Sequence, residues 1–190
     1  MAIVKLMNVR LSFPKLFKAE VIGKDADKRY YSCACPIVPG SENHKALDAA
    51  ILEAAKTKWP DKWVAILKVI RSKDDISFHE KELVNSEGEV YDGFQSMHNL
   101  NASRNEEKGP PMVVDRGNRL LSATSGKPYA GCWVNLSVEI WAQDNANGKR
   151  INATLRTVQF VRDGDSFGGG APLSGDEFDA LPEDADELFG

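Results

Sequence analysis

No lysine or arginine follows Arg162 in this chain of 190 residues, whereas nine acids do. All 24 cations lie at or before that position together with 19 of the 28 acids, which leaves the body at +5 and the last 28 residues at −9. The overall charge of −4 conceals this split. A mildly acidic average would argue against a nucleic-acid partner, but a basic body followed by an acidic tail does not.

Other absences narrow the class. Three cysteines, Cys33, Cys35 and Cys132, are an odd set and give no disulfide framework, which suits a reducing, cytosolic compartment. No run approaches the 18 or so uninterrupted apolar residues of a membrane helix. The opening MAIVKLMNVRLSF alternates like a strand and lacks the layout of a signal peptide. No glycine loop suited to phosphate is present, because Gly168 to Gly170 have neither a lysine nor a helical pattern after them. His44, His79 and His98 are scattered without metal-ligand spacing. Cys33 and Cys35 would share one side of a strand, yet no second ligand pair completes a zinc site, and packing explains them more simply. Neither a metal nor a cofactor is expected. The alternative from another class is a metal-dependent nuclease built on Asp74–Asp75 and Glu106–Glu107, which requires those acids to converge.

What is present reads as mainly β. Residues 3–11 alternate, with neither face cleanly polar, and Pro14 is expected to end that strand. A second strand is expected from Lys28 to Ile37. Ser41 can cap a helix whose apolar face is Leu47, Ala50, Ile51 and Ala54. Residues 61–70, DKWVAILKVI, read as a second short helix with Pro60 at its first position, against a β-branched content that favours a strand. Strands and loops follow from Ile76 to Val114, including a turn at Asn85 to Val90 and a proline-led edge strand in Pro110 to Asp115. The clearest strand is Cys132 to Gln143. Val134, Leu136, Val138 and Ile140 point one way, and Trp133, Asn135, Ser137, Glu139 and Trp141 the other. Asp144 to Lys149 is a hairpin turn, and Ile151 to Val161 returns. Several short strands with one or two helices predict a small barrel.

Single-strand binders combine cations with exposed aromatic faces on which bases stack, at roughly 1–3 kcal/mol per base. Here Trp141 lies on the polar side of the best strand, with Arg150 and Arg156 on or beside its hairpin partner. Tyr91 and Phe94 stand in a polar loop, followed by Arg104 and Lys108. These seven are the expected DNA contacts, each ring weighed against ordinary packing in a core. Arg29 with Tyr30 and Tyr31 has the same ambiguity.

Several segments together resemble the OB-fold single-stranded-DNA-binding proteins of tailed bacteriophages. They are VRLSFPKLF (Val9 to Phe17), NASRN (Asn101 to Asn105), PPMVVDRGN (Pro110 to Asn118), YAGCWVNLSVEIWAQDN (Tyr129 to Asn145) and LRTVQFVRDGDSFGGG (Leu155 to Gly170). The resemblance implies a five-stranded Greek-key barrel that binds single strands without marked sequence preference, in phage DNA replication or recombination within the host cytoplasm. It makes the protein a binding module rather than an enzyme. Whether duplex DNA is also bound, and whether the body forms a homodimer, stay open on the sequence.

The expected division is a binding domain over residues 1–163 and a linker with an acidic tail over 164–190. The stretch DEFDALPEDADELFG holds seven acids and no base, too little apolar surface to offset its ordering entropy, so disorder is expected there. By the resemblance, Asp184, Asp186, Glu187, Leu188 and Phe189 recruit replication or recombination proteins, although Gly190 follows the aromatic that such tails place last. A flexible segment of this length spans roughly 30 Å, against a body whose radius of gyration is about 15 Å. The tail can therefore also compete with DNA for the cationic surface.

Overall fold

A computed structural model describes residues 2–23 and 26–168. Its elements in chain order are β1 (Ala2–Arg10), β2 (Ser12–Val21), β3 (Arg29–Ile37), α1 (Glu42–Lys58), α2 (Trp63–Ser72), β4 (Phe78–His79), β5 (His98–Asn105), β6 (Met112–Val114), β7 (Trp133–Asn145) and β8 (Gly148–Arg162).

β1 and β2 are two halves of one long strand, bent at the buried Leu11. The Leu11 N–H donates to the Cys132 carbonyl at 2.9 Å, and its own carbonyl accepts from Gly131 N–H at 2.8 Å. The first half pairs with β7 and the second with β3. The sheet runs β1-β7-β8-β5-β3-β2, so its two ends are halves of the same strand and the path returns on itself. All these pairings are antiparallel except β5 with β8, which touch in parallel at Ser103 and Thr154. That order, with one long strand shared by both ends, is the partly open five-stranded OB barrel.

Two short strands extend it. β5 and β8 splay apart, and residues 75–79 fill the gap. Ser77 N–H donates to Ile151 O at 2.9 Å, Asn101 N–H to Ser77 O at 2.8 Å, and β4 pairs with β5 at Phe78 and Leu100. β6 lies along the far part of β8.

The local chemistry explains most of the elements. Ser41 Oγ accepts from His44 N–H at 3.2 Å and caps α1, with Glu42 in its first turn and Lys56 and Lys58 in its last. Leu47, Ala50, Ile51 and Ala54 are buried. Leu47 and Ile51 each contribute roughly 1.5–3 kcal/mol by leaving water. The ambiguous DKWVAILKVI is helical, because Leu67 and Ile70 bury one face. Pro60 lies in the turn before α2 rather than at its first position, which leaves Lys62 as the N-cap.

Two expectations need correction. Pro14 does not end the first strand. It falls within a bulge between Ser12 and Lys15, where the ladder needs no N–H, and the strand continues to Val21. Residues 164–168, expected to begin the linker, instead lie along the body. Gly164 N–H donates to Tyr129 Oη at 3.1 Å, Phe167 N–H to Ala130 O at 3.1 Å, and the Arg10 guanidinium to Asp165 O. Arg10 also lies 4.1 Å from the centre of the Phe167 ring. Gly131 allows this seat, since at φ 103° a side chain is strained and a Cβ would collide with the Asp165 carbonyl. The remainder of the expected linker and the tail residues Asp184, Asp186, Glu187, Leu188 and Phe189 lie outside the described residues.

Candidate nucleic-acid interface

Two adjoining hollows, of about 540 and 480 Å³, form one groove across the outer faces of β3, β5, β8 and β7. They share Ile22, Ser77, Ser103, Arg150 and Asn152. The groove is bounded by Ile22 and Gly23 of the β2–β3 loop and by Gln143 and Arg150 at the base of the β7–β8 hairpin. Its floor is a field of short polar side chains, because one face of β5 carries Asn101, Ser103 and Asn105 while Leu100 and Ala102 turn into the core.

Two rings meet this floor. Trp141 is half-buried on β7, and its indole N–H donates to Thr154 Oγ1 at 2.9 Å, which fixes the ring against β8. Tyr30 opens into the same hollow from β3, opposite Asn105 in the ladder. At the other end Phe13 has φ 47°, a left-handed backbone rarely adopted by a bulky residue. Its ring packs edge-on against Tyr91 with centroids 4.8 Å apart. Tyr91 itself lies in a neighbouring hollow shared with Phe13 and Phe167.

The cations differ in freedom. Arg150 lines the groove with its guanidinium 3.4 Å from Asp75, and Lys108 reaches it from a single 3₁₀ turn, Glu106–Lys108. Arg156 is one step further along the outer face of β8, 3.6 Å from Glu139. Arg104 is spent on structure: it donates to the carbonyls of Lys108 and Gly109, each at 2.9 Å, and so holds the turn that presents Lys108. Asp74 borders the groove. Burial pulls its carboxyl upward, but hydrogen bonds from Lys81 and His79 outweigh that and hold it below the usual carboxylate range.

Of the seven expected contacts, Trp141, Arg150 and Lys108 are brought together in the groove, Arg156 lies beside it, and Tyr91 is beyond its Phe13 end. Phe94 is a correction. It is wholly buried, because the turn from Tyr91 to Met97 folds its ring under the loop, so it offers no face for stacking. Tyr30 and Phe13 were not among the expected contacts. The alternation of Tyr30 and Ser32 on one face of β3 against Tyr31, Cys33 and Cys35 on the other is the signal that separates Tyr30 from its neighbour.

The acids expected of a nuclease do not form a metal-ligand cluster among the described residues. Asp75 pairs with Arg150, and Asp74 is held by Lys81 and His79. One group among the described residues does have ligand-like spacing: His44, Asp48 and Glu80. The Arg71 guanidinium already bridges its two carboxylates, at 3.2 and 2.7 Å. His44 Nδ1 accepts from Gly40 N–H at 2.8 Å, which places the ring proton on the Nε2 that faces the acids. The donor set suits this cation and this proton, not a metal ion.

Residues 2–189 match the family described as Enterobacter phage Enc34, ssDNA-binding protein. Protein p50 of Acyrthosiphon pisum secondary endosymbiont phage 1 is 37% identical over 181 residues, covering 94% of this chain and 93% of that one. The single-stranded DNA-binding protein from bacteriophage Enc34, solved in complex with ssDNA, superposes with a TM-score of 0.70 at 26% identity, over 87% of this chain and 89% of its own. The single-stranded DNA binding protein gp2.5 of bacteriophage T7 matches with a TM-score of 0.56 at 12% identity, over 95% and 99% of the two chains, a likeness of fold.

Proposed function

The chain belongs to the Enc34 family of phage single-stranded-DNA-binding proteins, and on that premise we propose that it binds single-stranded DNA without sequence preference, in the groove across β3, β5, β8 and β7. The observation that carries the reading is the pairing of Trp141 and Tyr30 over a floor of serine and asparagine side chains. Every base has a π-face, so rings of this kind accept any sequence, and the short polar groups hydrogen-bond opportunistically. Arg150, Lys108 and Arg156 neutralise phosphates along the same path. Tyr91 extends the path where Phe13 ends the groove. The solved Enc34 protein carries ssDNA, which supports the same use of this barrel.

The protein acts as a binding module rather than an enzyme, coating and protecting single strands during phage replication or recombination in the cytoplasm of the host. Its acidic tail recruits replication or recombination proteins and competes with DNA for the body. A gel shift with the full chain tests the core of this reading. Oligo-dT should be retarded in preference to duplex of the same length, and the complex should weaken as salt rises. Absence of any single-strand affinity, or progressive cleavage of the labelled strand with Mg²⁺, would overturn it.

A further inference from the structure

The positive charge of the body is concentrated beside the groove just described rather than in it. Residues 56–73 hold Lys56, Lys58, Lys62, Lys68, Arg71 and Lys73 against the single acid Asp61, a surplus equal to that of the whole body. This stretch is the end of α1 and all of α2. Arg71 is turned to Asp48 and Glu80. Lys62 and Lys73 instead stand exposed at the two ends of α2, in no salt bridge among the described residues.

α2 also has an uncovered apolar side. Ala65, Ile66, Val69 and Ile70, with Asn147 and Gly148 of the β7–β8 turn, enclose a hollow of about 590 Å³. Val69 is 49% exposed there. Lys62, Lys73 and Lys149 rim this trough against one acid, Asp75. That acid is already paired, 3.4 Å from the Arg150 guanidinium. The trough therefore offers an apolar floor under a cationic rim, which suits a flexible polyanion with flat apolar faces.

The trough and the groove meet at the start of β8. Successive side chains of a strand point to opposite faces, so Lys149 reaches the trough while Arg150 lines the groove. The Asp75–Arg150 pair crosses the same border, with Asp75 on the trough side. A strand that leaves the groove past Arg150 thus arrives directly among the three lysines. We propose that the α2 trough is a second segment of the binding path, which takes the part of a longer single-stranded DNA that runs out of the groove. Its phosphates lie beside Lys62, Lys73 and Lys149, and its bases cover Ala65, Ile66 and Val69. This inference rests on the reading of the groove as the DNA site.

The two segments hold DNA differently. Trp141 and Tyr30 give the groove its rings, whereas no aromatic side chain lines the trough. What the trough adds is neutralised phosphate and covered apolar surface, so the gain for a longer strand depends steeply on salt. Charge alone would also suit an acidic peptide. Continuity with the groove through Lys149 and Arg150 is what selects the nucleic acid.

Oligo-dT of two lengths separates the segments, since one OB fold covers about 4 to 16 nucleotides. In the full chain, Lys62→Gln together with Lys73→Gln should leave the binding of a strand of roughly 6 nucleotides unchanged. For a strand of roughly 16, the same variant should flatten the plot of log affinity against log salt by about 1.4, the share of two contacts. Lys45→Gln with Lys68→Gln removes equal charge from exposed positions outside the trough and should leave both slopes alone. Val69→Cys reads position independently. The three natural thiols are buried, so a benzophenone attached at position 69 should crosslink to the longer strand. An unchanged slope for the longer strand would leave the trough to an acidic peptide and overturn the proposal. So would an equal change in the control variant, an equal loss at both lengths, or no crosslink. Binding of the short strand by the unaltered chain reads the groove by itself, so failure of the groove is distinguishable from failure of the trough.

Discussion

The Trp141 indole N–H and the Thr154 hydroxyl are joined at 2.9 Å across the β7–β8 ladder, so the ring that faces the groove is held by a residue of the neighbouring strand. Thr154 is level with Glu139 and two pairs along the ladder from Trp141. The bond settles which way the indole lies, and the half-buried ring lines the groove.

Trp141→Ala should therefore weaken oligo-dT binding by roughly 1–3 kcal/mol, or about 5- to 150-fold, the value of one stacked base. Thr154→Val, which keeps the ring and removes its tether, should cost only a few-fold. Fluorescence anisotropy with labelled dT measures both. Equal losses in the two variants would mean that orientation of the ring, not its area, carries the contact.

Arg150 should act through charge. Its guanidinium is about half exposed in the groove and within 3.4 Å of Asp75, so phosphate competes with that carboxylate for it. Arg150→Ala should flatten the plot of log affinity against log salt by about 0.7, the share of one contact on a single strand. Asp75→Asn should raise affinity at low salt by freeing the guanidinium. An unchanged slope in Arg150→Ala would remove it from the phosphate path.

Phe94 reverses the expectation that its sequence context invites. Buried completely under the loop, it should lose roughly 3–5 kcal/mol of stability on replacement by alanine. In a body of this size that is a drop in Tm of roughly 10 °C or more. Oligo-dT affinity measured well below that Tm should be unchanged. Tyr91→Ala, at an exposed position, should show the opposite pattern, with little change in Tm and weaker binding.

The contrast between these aromatics shows what the sequence carries. Strands β7 and β8 and the helix α1 were legible because each has one consistently buried face, with period two or near 3.6, and a local cap or turn. The exposure of single rings was legible only in part. Phe94 stands in a polar loop, and only the path of the turn at Tyr91 to Met97 decides that its ring faces in, whereas the alternation of β7 already puts Trp141 on the polar face. Tyr30 and Tyr31 are adjacent, so they occupy opposite faces of β3, and only the company of Cys33 and Cys35 on the Tyr31 side marks Tyr30 as the groove-facing ring. Pro14 reads as a terminator because the bulge that tolerates it is a product of the barrel's bend. Arg104 resembles any exposed cation until the turn it holds is seen.

The seat of residues 163–168 should behave as part of the body. Gly131→Ala would force its backbone and the Asp165 carbonyl apart, since φ is 103° and a Cβ has no room. Loss of this seat should open a protease-sensitive site between Arg162 and Phe167 that the unaltered chain lacks. Phe167→Ala, which removes the ring over Arg10, should open the same site without touching Gly131. Limited proteolysis followed by mass spectrometry compares the three proteins, and identical digests would show that the seat confers no protection.

His98 should set the stability of the body at mildly acidic pH. Burial lowers its pKa below 6.5, and the nearby His44 ring adds to the effect, outweighing the pull of Glu80 and Asp48. The rings lie 4.9 Å apart, and His98 Nδ1 is buried without a hydrogen-bond partner among the described residues. A lowered pKa means that the folded state holds fewer protons than the unfolded chain, so stability rises with pH across the interval. The contribution is complete above pH 6.5 and is lost as the pH falls through that value towards the lower, folded pKa. Glu80, held down by Arg71 against the upward pull of burial, loses its contribution only in the more acidic range below 4.5. Thermal melts at pH 7.5 and 5.5 should therefore show a lower Tm at 5.5, and His98→Gln should reduce that difference. An undiminished difference in the variant would mean that another group takes up the proton.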